Sequence, residues 1–212
     1  MTLYDIKPRF QQLLRPCLIY LHRRGITANQ VTVAALAASL LTGLLLCLFP
    51  RPALFMILPL WLFIRMALNA IDGMLAREFH QQSKRGALLN EAGDVISDAA
   101  LYLPFALLPG AQPALVVIAV LLAVLTEFCG VLVQTLGAPR GYGGPLGKSD
   151  RALLFGAYGL CIGLWPSTLS WSPWLFALAA LLCAWTCVNR CRRALNTDPG
   201  EPGKHPHEEK SS

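Results

Sequence analysis

Six apolar runs, at about 31–49, 52–70, 86–108, 114–136, 152–165 and 174–190, limit what this chain can become more than any other feature. Roughly 20 apolar residues in a helix match a hydrocarbon layer about 30 Å thick, and inside lipid only helices and closed barrels satisfy their backbone polar groups. Runs of this length predict helices, so the expected fold is all-α: a polytopic membrane protein with six transmembrane helices. The second helix has to continue to about Phe79, and the fifth crosses only if it extends to about Ser170. Turn residues break the runs at Pro50-Arg51-Pro52, Pro109-Gly110 and Pro166 to Pro173. With 55% apolar and 14% charged residues and a mean hydropathy of +0.50, the composition excludes an ordinary soluble domain. The net charge of +6 does not signal nucleic acid, because the cations are neither gathered into one patch nor interleaved with aromatic residues.

Those cations set an orientation. Of the eighteen Lys and Arg, sixteen fall on one side of the six runs, and only Arg51 lies on the other, with Arg65 inside a run. The positive-inside rule then puts both termini and the loops near 80 and 145 in the cytoplasm, which for a bacterial protein means the inner membrane. Trp165, Trp171 and Trp174 mark the opposite interface. Ahead of the runs, Phe10, Leu13, Leu14, Cys17, Leu18 and Leu21 recur at a helical period, with Arg9, Gln11, Gln12 and Arg15 between them. Residues 1–25 therefore predict an interfacial amphipathic helix, with a kink at Pro16 left open. No cleavable signal pattern precedes it, so the mature chain is expected to begin where the sequence does. Residues 26–193 form the expected membrane domain, and 194–212, rich in Pro, Gly, Glu and Lys, a disordered cytosolic tail. Cys183, Cys187 and Cys191 make an i, i+4, i+8 row, but with no His beside it the row predicts packing rather than a soft-metal site.

Polar residues at the cytosolic ends of the second and third runs need a reason to be there. They read Asn69-Ala-Ile-Asp72-Gly73-Met-Leu-Ala76-Arg77, then eight residues, Gly86, and Asn90 and Asp94 at four-residue steps. Arg65, Asn69, Asp72 and Ala76 share one helical face, as do Asn90, Asp94 and Asp98 on the next helix. Charged groups at this depth are costly unless they face a site or one another. Arg65 and Asp98 each sit ~6 Å below the motif along their helices, which makes them a candidate buried charge pair, with Glu127 as the rival partner for Arg65.

The motif resembles the signature of the CDP-alcohol phosphatidyltransferases, D-x2-D-G-x2-A-R-x8-G-x3-D-x3-D. Every spacing matches, while Asn69 and Asn90 replace the first and third acidic residues. The resemblance implies transfer of a phosphatidyl group from CDP-diacylglycerol or a related CDP-lipid to a small alcohol acceptor, with release of CMP, in phospholipid biosynthesis among membrane lipids. It implies Mg²⁺ or Mn²⁺ as cofactor, Asp72, Asp94, Asn69 and Asn90 as the metal-binding positions, Asp94 as the base, and a possible homodimer. Hard oxygen ligands beside a diphosphate suit these ions. With two carboxylates missing, a second ion is expected to bind more weakly; Glu91 could restore one charge, but it lies ~100° round the helix from Asn90.

By the same resemblance Gly73, Ala76, Arg77 and Gly86 contact the nucleotide, and so do Thr27 and Asn29 in Thr27-Ala-Asn29-Gln-Val-Thr32, a variant of T-P-N-x-x-T. From the residues alone, Gly73 and Ala76 could equally pack helices, Gly86 could start a helix, and Thr27 or Asn29 could cap one. Residues 140–151, Arg-Gly-Tyr-Gly-Gly-Pro-Leu-Gly-Lys-Ser-Asp-Arg, offer Arg140, Lys148 and Arg151 to an acceptor or lipid phosphate, with glycines that let amides turn toward an anion. Two other functions stay open: a non-catalytic CDP-lipid-binding or scaffold homologue, prompted by the two Asn, and a transporter using Arg65, Asp98 and Glu127 as a relay.

Overall fold

Helix boundaries fall where the chain supplies caps and prolines. The computed structural model describes residues 3–196, with side chains from Phe10 onward. Seven long helices run through the described residues: α1 (Leu3–Arg23), α2 (Ala28–Leu48), α3 (Ile57–Glu78), α4 (Lys84–Tyr102), α5 (Pro113–Leu132), α6 (Lys148–Leu164) and α7 (Ser172–Leu195). No strand occurs among them. Thr27 starts α2 with a capping box, its hydroxyl accepting from the Gln30 amide at 3.3 Å while the Gln30 side chain accepts from the Thr27 amide at 2.9 Å. Ser83 caps α4 by its side chain alone, accepting from the Gly86 amide at 3.0 Å. Short 3-10 turns beginning at Pro52 and Pro166 lead into α3 and α7, and a third, Leu103–Leu107, extends α4.

Four of these stretches are long and apolar enough to cross a membrane: Ala28–Leu48, Pro52–Glu78, Pro113–Leu136 and Pro166–Leu195. The third and fifth apolar runs also form helices, α4 and α6, but neither has that combination of length and apolarity. α4 carries Lys84, Arg85, Glu91, Asp94 and Asp98, and α6 has only 17 residues and opens on Lys148, Asp150 and Arg151.

The bundle is built on three closely packed pairs, α5 with α7, α2 with α4, and α3 with α6. Small residues set the α2–α4 distance: a Cβ on Gly43 would lie 2.3 Å from the Ala100 carbonyl oxygen, so only glycine permits this crossing. At the end of the bundle that holds the 3-10 turns, Phe55, Tyr102, Phe105, Phe155 and Phe176 interlock with ring centroids 4.5–6.2 Å apart. The opposite end is polar, and there the α3–α4 and α5–α6 connections come together.

The N-terminal helix runs unbroken through Pro16. Leu18 is fully buried in a cluster with Ala28, Val31, Ile71, Met74 and Leu75, and Leu14 and Leu21 pack beside it, whereas Leu13 stays 74% exposed. Thus α1 fastens onto α3 by one apolar edge and leaves another outward. His22 stacks on Phe79 at 3.6 Å, and Arg15 meets Glu78 at 3.4 Å, which fixes the far end of α1 to the end of α3. At the other terminus, α7 continues to Leu195, past the boundary expected at 193, because Ala194 is buried. The remainder of the expected tail, 197–212, lies outside the described residues.

Candidate active site

Both halves of the motif open onto one cavity of about 560 Å³. From α2 come Ala28, Asn29 and Thr32, from α3 Asp72, Gly73 and Ala76, and from α4 and the turn before it Lys84, Gly86 and Asn90. The fold brings these together because α3 and α4 are joined by only five residues, Phe79 to Ser83, within which His80 adopts a left-handed φ of 55°. Asp72 is 6% exposed, and its Oδ2 accepts the Thr32 hydroxyl at 2.8 Å. Gly86 has to be small: a Cβ there would stand 2.6 Å from Asn29 Oδ1, so its hydrogen lets α2 and α4 close over the cavity rim. Gly73 lies beneath the Arg77 guanidinium, which would be 3.2 Å from an added Cβ. Thr27, expected at the nucleotide, instead serves the capping box at the head of α2; its neighbours Ala28 and Asn29 are the ones that line the cavity.

Behind this cavity, Asp94 is held from three directions. Asn69 Nδ2 donates to its Oδ1 at 3.1 Å, Arg65 Nη2 donates to the same oxygen at 3.2 Å, and the Lys148 ammonium pairs with Oδ2. Arg65 also reaches Asp98 Oδ1 at 2.5 Å. From Asp98 the charges continue to Arg151 at 3.2 Å, from Arg151 to Glu127 at 2.9 Å, and from Glu127 to Arg140 at 3.3 Å, with Arg190 on Glu127 at 3.6 Å. Arg140 ends the chain on Glu91. Each charge in this network therefore has an opposite partner, as a low-dielectric interior demands, whereas Asp72 meets the Thr32 hydroxyl and the cavity. Glu127 belongs to Arg151, Arg140 and Arg190 rather than to Arg65.

This network changes how several residues are read. Arg151 is completely buried, and its guanidinium bonds the Thr126 hydroxyl at 2.9 Å, the Leu146 carbonyl at 3.3 Å and two carboxylates. It is a structural cation, not a direct phosphate contact. Glu91 turns to Arg140 and so does not restore the charge missing at Asn90. The glycine-rich loop gives its amides to the protein: Gly141 N to the Gly130 carbonyl at 3.0 Å, Leu146 N to Thr186 Oγ1 at 3.1 Å and Gly147 N to Asp150 Oδ2 at 2.9 Å. Of the three cations expected at an acceptor, Lys148 is the most open, with its side chain 29% exposed.

The donor set accommodates a divalent ion at one place. Asn90 Oδ1 is buried and has no hydrogen-bond partner, and it lines the cavity with Asp72. Among the described residues no three His, Cys, Asp or Glu side chains converge as ligands. One carboxylate with amide oxygens beside it suits an ion that keeps several waters and shares phosphate oxygens. Around Asp94, by contrast, the carboxylate oxygens already meet Lys148, Arg65 and Asn69.

Sequence reasoning missed Lys148 on Asp94, Arg151 and Arg190 on Glu127, and the lining contributed by Gln81, Gln82 and Ser83. The first two sets join residues 24 to 63 positions apart, for which no local periodicity exists. The third had a signal, since three polar residues between two motif halves in a five-residue turn cannot be far from the site.

A helical membrane bundle with a cavity among its second, third and fourth helices, edged by this motif, defines a class. The family model for CDP-alcohol phosphatidyltransferases matches residues 25–186, and the chain belongs to that family. It is similar to the inner membrane protein YnbA of Escherichia coli, 57% identical over 195 residues that cover 92% of this chain and 97% of that one. It is also similar to phosphatidylinositol phosphate synthase of Mycobacterium tuberculosis, 29% identical over 202 residues covering 90% and 89%. Crystal structures of that synthase share the fold: one with CDP-DAG bound at a TM-score of 0.74 and 21% identity, covering 92% of this chain and 98% of that one. A second, in complex with manganese and citrate, matches at 0.72 and 21%, covering 90% and 92%.

Proposed function

We propose that this chain is an inner-membrane transferase that moves a phosphatidyl group from CDP-diacylglycerol, or a related CDP-lipid, to an alcohol, releasing CMP. The observation that carries the reading is the cavity in which Asp72, Gly73, Ala76, Gly86 and Asn90 meet Asn29 and Thr32. Gly73 and Ala76 line the cavity with no or a minimal side chain, and the Arg77 guanidinium lying over Gly73 offers a diphosphate a cation. In the reaction the alcohol oxygen attacks the lipid-side phosphorus, the bond from that phosphorus to the oxygen of CMP breaks, and the hydroxyl proton passes to the Asp94 carboxylate. Mg²⁺ or Mn²⁺ held by Asp72 with Asn90 would neutralise diphosphate charge. Thr32 keeps Asp72 turned to the cavity. Arg65 and Asn69 hold Asp94, so the base is oriented before the alcohol arrives. The CDP-DAG complex and the manganese complex of the mycobacterial synthase support a CDP-lipid and a divalent ion here.

We also infer that α4 and α6 cross the membrane, giving six spans over residues 26–193, with α1 at the interface and both termini cytoplasmic. Glu91, Asp94, Asp98, Lys148 and Arg151 on these helices face the network inside the bundle, and Lys84, Arg85 and Asp150 lie in their first turns. A homodimer is the arrangement that the family resemblance suggests.

Purified protein given CDP-diacylglycerol and a panel of alcohols is expected to release CMP only with Mg²⁺ or Mn²⁺, and Asp72→Asn or Asp94→Asn should abolish it. Lipid binding with no turnover on any acceptor would instead favour a non-catalytic homologue, the reading that Asn69 and Asn90 motivate. Solute flux without CMP release would favour a transporter.

A further inference from the structure

We propose that the Lys148 ammonium serves as a built-in positive charge at the motif, so that this site takes one divalent cation per chain and not two. The proposal rests on the transferase reading for its substrate, but its geometry does not. Lys148 is the first residue of α6, where the helix macrodipole disfavours a cation, and Asp150 in the same turn is engaged with the Gly147 amide rather than with Lys148. What holds the ammonium is Asp94 Oδ2 on α4, and no other carboxylate among the described residues pairs with it. The remaining oxygen of Asp94 receives Arg65 and Asn69.

The charges agree with the contacts. Asn69 and Asn90 remove two of the four negative charges that the family pattern places round its ions, which takes away the charge a second divalent ion would neutralise. Lys148 adds a positive charge at Asp94, which Asn69 also contacts, and Arg65 adds another from below. A second divalent ion near Asp94 would face two cations and one carboxylate. The other half of the site has the opposite character: Asp72 is charged, Asn90 Oδ1 is buried without a partner, and Lys84 is the one basic residue on the cavity wall. One half thus takes a metal and the other already holds its cation. Lys148 is a positioning residue for Asp94 and a fixed counter-charge for an incoming phosphate.

Mn²⁺ binding to the purified full-length protein in detergent, read by electron paramagnetic resonance, tests this without any turnover. One Mn²⁺ per chain is expected, bound through Asp72 and lost in Asp72→Asn. Two per chain, or none, overturns the proposal. In the triple variant Asn69→Asp, Asn90→Asp, Lys148→Met the stoichiometry should rise to two; a variant that folds, by size-exclusion profile and helical circular dichroism, and still binds one also overturns it. Should that variant fail to fold, Lys148→Met alone decides: Mn²⁺ affinity within about threefold of wild type with CMP release reduced at least 10-fold is expected, and a 10-fold or greater loss of Mn²⁺ affinity overturns the proposal. One bound Mn²⁺ with no CMP release from wild type would sink the transferase reading and leave this one standing.

Discussion

Asp72 shows how one residue is made useful by its neighbours. A carboxylate this buried needs donors, and its side-chain donor is the Thr32 hydroxyl at 2.8 Å on Oδ2, while the residue still lines the cavity. Thr32→Val keeps the shape of the side chain but removes that bond, so Asp72 loses its orientation and not its charge. A hydrogen bond to a charged group contributes about 1.5–3 kcal/mol, and the expected result is a 10- to 100-fold weaker Mn²⁺ affinity with little change in thermal stability; calorimetric titration and a melting curve of the same sample check both. Thr32→Ser should retain most of the affinity. Thr32 also marks what a sequence can and cannot disclose at this scale. Its place in Thr27-Ala-Asn29-Gln-Val-Thr32 pointed to the site, but its partner on α3 is forty residues away. The spacing of Asp72, Gly73, Ala76, Gly86 and Asp94 was legible because it is helical and local. The pairing of Lys148 with Asp94 was not, because a salt bridge between helices depends on how the bundle packs.

At the scale of elements, glycine decides where helices touch. The six apolar runs and the amphipathic first helix were readable from period and length, and helix ends from prolines and capping residues such as Thr27 and Ser83. Which helices pair was not readable, since nearly every run contains small residues and lipid offers no hydrophobic drive to choose among them. The structure picks out Gly43 against the Ala100 carbonyl, a backbone contact that cannot relax by a side-chain rotation. Gly43→Ala must push α2 from α4, and overpacking of this kind costs about 1–3 kcal/mol. The shift also widens the distance between Thr32 and Asn90, so melting temperature and Mn²⁺ affinity should fall together. Gly86→Ala meets only the end of the Asn29 side chain and the Ser83 hydroxyl. It should leave the melting temperature nearly unchanged while weakening CDP binding, because a displaced Asn29 intrudes on the cavity. Equal losses of stability in the two variants would contradict this division between packing and lining glycine.

For the whole molecule, the question is whether a helix as charged as α4 and one as short as α6 can span lipid, and the arithmetic of length says they can. At 1.5 Å per residue the 17 residues of α6 cover about 25 Å, at the short end of the ~17–25 residues that a membrane-crossing helix uses. For α4 the 19 residues give about 28 Å before its own 3-10 turn is added. Charge is the remaining obstacle, and the network removes it. Among the described residues Asp94, Asp98 and Glu127 are matched by Arg65, Lys148 and Arg151 across α3, α4, α5 and α6, so these charges meet one another and not lipid, though each helix alone would be a poor span. In a six-span arrangement, insertion of α4 and α6 depends on partners that arrive with other helices. Arg151→Leu leaves Asp98 and Glu127 short of a counter-charge in the interior, where breaking a pair costs about 3–5 kcal/mol, and should yield protein that is degraded or misinserted. Arg151→Lys keeps the charge but cannot bridge both carboxylates, so partial expression is expected. The test is labelling of single cysteines, in a background freed of the native seven, with a membrane-impermeant maleimide on intact cells: position 51 and position 167 should label from outside, and positions 80 and 142 only after lysis. In Arg151→Leu, position 167 should lose its outside labelling while position 51 retains it, since α2 and α3 are apolar enough to insert without the network. Labelling of position 142 from outside in the otherwise native protein would mean that the turn between α5 and α6 does not lie in the cytoplasm, and the six-span arrangement would fall with it.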